Sequence, residues 1–86
     1  MPEFRWNDLK NARLKRTRGV SFEEIIQARL IDVKEHPARP GQRIMLFEHK
    51  EYVWAVPCVQ HGNEVFLKTL YPSRKHTKMY RRGTMA

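Results

Sequence analysis

The stretch RIMLFEHKEYVWAVPCVQHGNEVFLKTLY, residues 43–71, decides the fold class. It contains three runs rich in β-branched, aromatic and aliphatic residues: Arg43–Phe47, Tyr52–Val59 and Val65–Tyr71. Such residues favour a pleated, half-buried backbone. Glu48-His49-Lys50-Glu51 joins the first two runs and His61-Gly62-Asn63 the last two. Both connections have hairpin length, so the strands pair antiparallel. Residues 52–59 are almost continuously apolar, as a central strand covered on both faces requires. Pro57 has no N–H to give to a ladder, so a bulge or a locally unpaired edge is expected there. Pro72 ends the last run.

Upstream, Ile31 to Glu35 alternates apolar and charged residues and reads as a further strand, followed by a loop, His36-Pro37-Ala38-Arg39-Pro40-Gly41. Ser21 with Glu24 three residues on forms a capping box, and Val20 against Ile25 fits the hydrophobic staple. Phe22, Ile25, Ile26 and Leu30 then recur at helical spacing, which predicts a core-facing helix over 22–30. Its first-turn glutamates, Glu23 and Glu24, read as capping groups rather than catalysts. Residues 8–18 lack Gly and Pro and favour a second helix, capped by Asn7 or Asp8 and stopped by Gly19. Its apolar face is thin (Leu9, Ala12, Leu14), so most of its circumference is left to water or a partner. Phe4-Arg5-Trp6 reads as a short strand, and Ser73–Arg82 as a short basic helix or an extended tail. The order β-α-α-β-β-β-β-(α) describes one α+β domain over residues 1–86: a short N-terminal strand, two helices, an antiparallel sheet of about four strands and a basic C-terminal segment, with the helices on one face.

Composition narrows the function. Hydrophobic residues at 41% and charged residues at 30% of 86 argue against a wholly disordered chain. Cys58 is the one cysteine, which excludes an internal disulfide and a cysteine-based zinc site; it reads as a small buried hydrophobe. No apolar run approaches the roughly 18 residues of a membrane span, and no leader-like apolar segment follows Met1, so the expected setting is the reducing cytoplasm. The net charge is +8, and it is unevenly placed. Residues 9–18 carry five bases and residues 65–86 six, with no acid in either block. Two basic blocks around an acidic middle suit a phosphate-rich or acidic partner.

Two separated motifs carry a family resemblance. Phe4-x-Trp6 with Lys10 four positions after Trp6, and Gly19-Val20-Ser21-Phe22-Glu23-Glu24, resemble the opening of BrnT-type toxins. Tyr71-Pro72-Ser73-Arg74-Lys75-His76-Thr77-Lys78 resembles their closing basic segment. The resemblance implies a RelE-like fold and a type II toxin–antitoxin pair. In such a pair the toxin is a ribonuclease that halts translation, and a DNA-binding antitoxin, of ribbon-helix-helix type, neutralises it.

Metal-independent RNA cleavage needs a base for the ribose 2′-OH, cations for the phosphorane and an acid for the leaving oxygen. Arg74 and Lys75, just after the last strand, are the cationic candidates, since a guanidinium can hold two phosphate oxygens. His76 is the one histidine inside the basic tail and the acid–base candidate; His36, His49 and His61 fall in a loop and in turns. Tyr80 is a candidate to stack on a base or donate a proton. Lys10, Arg13, Lys68 and Lys78 are candidate RNA-backbone contacts, Lys68 from the strand face opposite Leu67. Trp6 and Tyr52 are candidates to stack on RNA bases; Trp54, in the central run, reads as core. Arg39, in the proline loop, has no expected role. No motif or histidine spacing calls for a metal or another cofactor. The residues alone leave a second reading open: a non-catalytic RNA-binding or protein-binding module, a degenerate toxin, using the same basic surface.

Overall fold

The computed structural model describes residues 3–83. Its elements are β1 (Glu3–Arg5), α1 (Asp8–Arg18), α2 (Phe22–Ile25), β2 (Arg29–Glu35), β3 (Gln42–His49), β4 (Tyr52–His61), β5 (Glu64–Leu67), β6 (Tyr71–Pro72) and α3 (Arg74–Arg81). The α+β class holds. The strands form one sheet in the order β1-β5-β4-β3-β2, with β6 also pairing β4. β1 lies parallel to β5, with Phe4 opposite Val65, so the sheet is mixed. That pairing joins residues some sixty positions apart and leaves no trace in local pattern.

The β3–β4 hairpin is tighter than a four-residue connection. Lys50 and Glu51 both have positive φ, 53° and 66°, as a two-residue turn of the type matched to sheet twist demands. The strands therefore run in unbroken register from Gln42 opposite Val59 to His49 opposite Tyr52. Pro57 sits inside this ladder, opposite Ile44. Its carbonyl accepts from Lys68 N at 2.9 Å, so its donorless nitrogen also faces the β5–β6 side. There the pairing lapses between Leu67 and Tyr71, and three residues pass two on β4. The locally unpaired edge expected at Pro57 is where the chain crosses from β5 to β6.

α2 is one turn long rather than nine residues. The capping box forms as read, with Ser21 Oγ accepting from Glu24 N and the Glu24 carboxylate accepting from Ser21 N. Beyond Ile25 the helix gives way to turns, and Arg29 and Leu30 pair with Glu48 and Phe47 of β3. Ladder hydrogen bonds across the sheet displace the helical ones that the spacing of Leu30 suggested, and Leu30 ends 46% exposed.

The helices do not share one face. Leu14 of α1, Val20, and Phe22 and Ile25 of α2 pack on Phe47, Val56, Cys58, Val65, Leu67 and Leu70. On the opposite face Met79 and Tyr80 of α3, together with Ile31 and Ile44, pack on Leu46, Val53 and Ala55. Helical periodicity marks an apolar stripe on α3 but not the side of the sheet that receives it. Ser73 N donates to Val53 O at 2.8 Å. Buried Thr77 accepts from Val53 N at 2.9 Å and donates to Ser73 O at 2.6 Å. Thr77→Val keeps the shape but orphans the Val53 N–H, at a cost of about 1–3 kcal/mol, while Thr77→Ser retains most of the stability. Urea midpoints of the two variants check this; equal midpoints would remove the hydroxyl from the account.

Candidate active site

The first turn of α3 is built against the rule for helix ends. Anionic side chains are favoured at a helix N-terminus, yet Arg74 and Lys75 occupy it and no acid accompanies them. A broken local preference of this kind marks a place where something other than folding is served. Ser73 caps the helix, accepting from His76 N at 3.3 Å, and its Oγ lies 2.6 Å from His76 Nδ1.

Two grooves meet at this turn. Arg74, Lys75, Lys78, Met79 and Arg82 line one of about 560 Å³. Lys75 also borders a second, of about 400 Å³, where His76 and Tyr71 face Lys34 and Pro37 across the sheet edge. Arg74, Lys78 and Arg82 stand four residues apart on one helical stripe, so the expected backbone contact Lys78 joins the expected phosphate clamp. His76 is half-buried, and burial lowers its pKa from the ordinary value; the nearby Lys34 and Lys75 charges lower it further, against a smaller opposing pull from Asp32. The imidazole is therefore neutral at pH 7. In the tautomer that donates from Nδ1 to Ser73 Oγ, it presents Nε2 as a proton acceptor.

Tyr80 does not join this group. Its hydroxyl donates to Glu48 Oε1 at 3.1 Å, and its ring packs in the α3-side core, so it ties α3 to β3. Arg81 makes a similar tie, donating to Glu51 O at 3.1 Å.

Lys10 and Lys68 come together elsewhere. With His36, Arg39, Gln42 and Thr69 they border a cleft of about 530 Å³ at the point where the chain leaves β5. Arg39, expected to have no role, is thus the third cation of that cleft. Its position follows from the β2–β3 loop folding toward α1, and only its charge hinted at it. Arg13 stays exposed on α1 and borders none of these clefts. Arg18, another base of the same block, is structural: its guanidinium donates to Leu70 O.

The glutamates of α2 are also structural. The Lys15 ammonium, 2.7 Å away, and the Ser21 amide and hydroxyl hold the Glu24 carboxyl at about 2. The Asn11 amide bonds Glu23 and lowers its pKa, while its carbonyl accepts from Phe22 N at 2.7 Å. Burial pushes the Cys58 thiol up, so it stays protonated as a core side chain. No helix among the described residues is long and apolar enough to cross a membrane.

No family model and no curated protein matches the chain. Among solved structures it is similar to the crystal structure of the Brucella abortus ribonuclease toxin BrnT, at 14% identity and a TM-score of 0.57. The match covers 85% of this chain and 97% of that one. At this identity the likeness concerns the backbone: the chain has a BrnT-like fold.

Proposed function

We propose that this chain is a ribonuclease toxin of RelE-like type that cleaves RNA without a metal ion. One observation carries the reading: at the open head of α3 a histidine whose pKa burial lowers shares a groove with Lys75 and Lys34, and Lys75 also borders the adjoining groove of Arg74. The fold shared with a ribonuclease toxin supports it. In this scheme His76 Nε2 takes the proton of the ribose 2′-OH, and the oxygen attacks the adjacent phosphorus. Arg74 binds the non-bridging oxygens as charge develops on them. Lys75, which borders both grooves, protonates the departing 5′ oxygen, leaving a 2′,3′-cyclic phosphate and a 5′-hydroxyl. Lys78 and, farther along, Lys10 and Lys68 hold flanking phosphates. Arg13 supplies only long-range attraction. The partner is an antitoxin of ribbon-helix-helix type, in a type II pair.

Expression of this chain alone should arrest growth, and co-expression of the antitoxin should relieve it. Purified protein should cleave RNA in excess chelator; complete inhibition by chelator would replace this mechanism with a metal-dependent one. The pH profile follows from the sign of the His76 shift. Protonated imidazole cannot accept a proton, and its pKa is lowered, so activity holds below pH ~6.5, the ordinary histidine value, before it falls. Lys75→Gln removes a charge that disfavours imidazolium, so the acid limb moves up in pH as the rate drops. A limb that stays in place would take His76 out of the base role. The engagement of Tyr80 by Glu48 favours the second reading, a non-catalytic RNA-binding module; that reading expects RNA binding with no cleavage at any pH.

A further inference from the structure

α3 covers only the β2–β4 half of its sheet face. On the other half, β1, β5 and the far end of β4 present alternate residues to the same side. Cross-strand pairing aligns Arg5, Phe66 and Val59 in one row and Glu3, Glu64 and His61 in the next. Phe66 is 42% exposed in the middle of this surface. Trp6 stands beside it, half-buried, with one side of its indole packed on Phe22 at a centroid distance of 5.8 Å. Together they border a cleft of about 630 Å³. No helix among the described residues covers it. A phenylalanine in the outward row of a strand does nothing for the core, whose contacts on β5 come from Val65 and Leu67.

Lys68 borders this cleft and also the basic cleft of Lys10 and Arg39. Aromatic faces beside three converging cations match a nucleotide, which is a flat apolar ring attached to a phosphate. We infer that this half of the sheet holds one unpaired base of an RNA strand against Phe66 and Trp6, with the adjoining phosphate passing Lys68 to Lys10 and Arg39. Stacking of this kind requires an exposed ring face, so the substrate is single-stranded; a duplex hides its ring faces. Arg5 and Glu64, 3.5 Å apart at the rim, offer a donor and an acceptor to the base edge. The inference rests on the reading of the chain as RNA-directed, and it identifies the form of RNA that reading leaves open. It does not depend on cleavage.

The test measures binding of a short 2′-O-methyl oligonucleotide, which lacks the attacking hydroxyl and cannot be cut, against a hairpin duplex of the same composition. The single strand binds more tightly than the duplex and quenches Trp6 fluorescence, read in a Trp54→Phe background. Phe66→Ala and Lys68→Ala each weaken single-strand binding about tenfold, and Phe66→Trp restores it. Lys68→Ala also flattens the salt dependence, whereas Phe66→Ala leaves it unchanged, because only the first contacts phosphate. Equal affinity of Phe66→Ala and the parent, or of duplex and single strand, overturns the inference even if the protein cleaves RNA. Loss of binding in Phe66→Ala, together with no cleavage of unmodified RNA by the parent, upholds it while the ribonuclease reading falls. No binding of either oligonucleotide removes both and leaves this face to a protein partner.

Discussion

On the proposed ribonuclease reading, Arg74→Ala is expected to lower the rate of RNA cleavage by about tenfold to a thousandfold, the loss that follows removal of one transition-state donor. The folding midpoint hardly moves. Arg74 is exposed in an open groove and belongs to neither core cluster, and exposed substitutions of this kind shift stability within about 0.5 kcal/mol. Its removal even relieves an unfavourable charge at the positive end of α3. Arg74→Lys recovers part of the rate, because an ammonium supplies charge without the planar fork. The double variant Arg74→Ala with Lys75→Ala loses less than the product of the singles if both groups act on one phosphate. The control is Arg16→Ala, of equal charge and exposed on α1. Arg39 cannot serve, since it stands in the basic cleft with Lys10 and Lys68. If Arg16→Ala slows cleavage as much as Arg74→Ala, the effect is bulk attraction and the site at α3 is wrong.

Phe22→Ala costs about 3–5 kcal/mol, enough to unfold much of a small domain whose total stability is of order 5–15 kcal/mol. Phe22 is fully buried where α2 meets the sheet, and it supports the ring of Trp6. An 86-residue chain has little core to spare, and the backbone at Phe22 is tied to α1 by the hydrogen bond from its N–H to Asn11. Phe66→Ala removes the same atoms from an exposed position and shifts the midpoint by about 0.5 kcal/mol. Denaturant melts of the two variants make the comparison. Equal shifts would mean that the α1–α2 face is not the principal core.

The legible parts of this chain are those whose causes lie within a few residues. The Ser21–Glu24 capping box forms because both partners sit on one turn, and Asn7 caps α1 for the same reason. The hairpins follow from short connections between apolar runs. Pro57 announces an interruption of pairing because its nitrogen can donate nowhere. Arg74, Lys75 and Lys78 were readable as a group, since helical spacing alone puts them on neighbouring positions of one element.

What only the tertiary structure decided involves residues that chain distance separates. The register of β2 on β3 took Arg29 and Leu30 out of a helix, because sheet hydrogen bonds offered more than one further helical turn. β1 found β5 in parallel. α3 took the opposite face from α1 and α2, which brought the Tyr80 hydroxyl to Glu48. The same closure brought Lys10, Arg39 and Lys68 from α1, a loop and the end of β5 to one cleft. Local sequence determines element type, caps and turns through short-range hydrogen bonds and hydrophobic period. Which cations converge, and which aromatic faces stay open, is set by how those elements bury their apolar sides against one another, and that is a property of the whole chain.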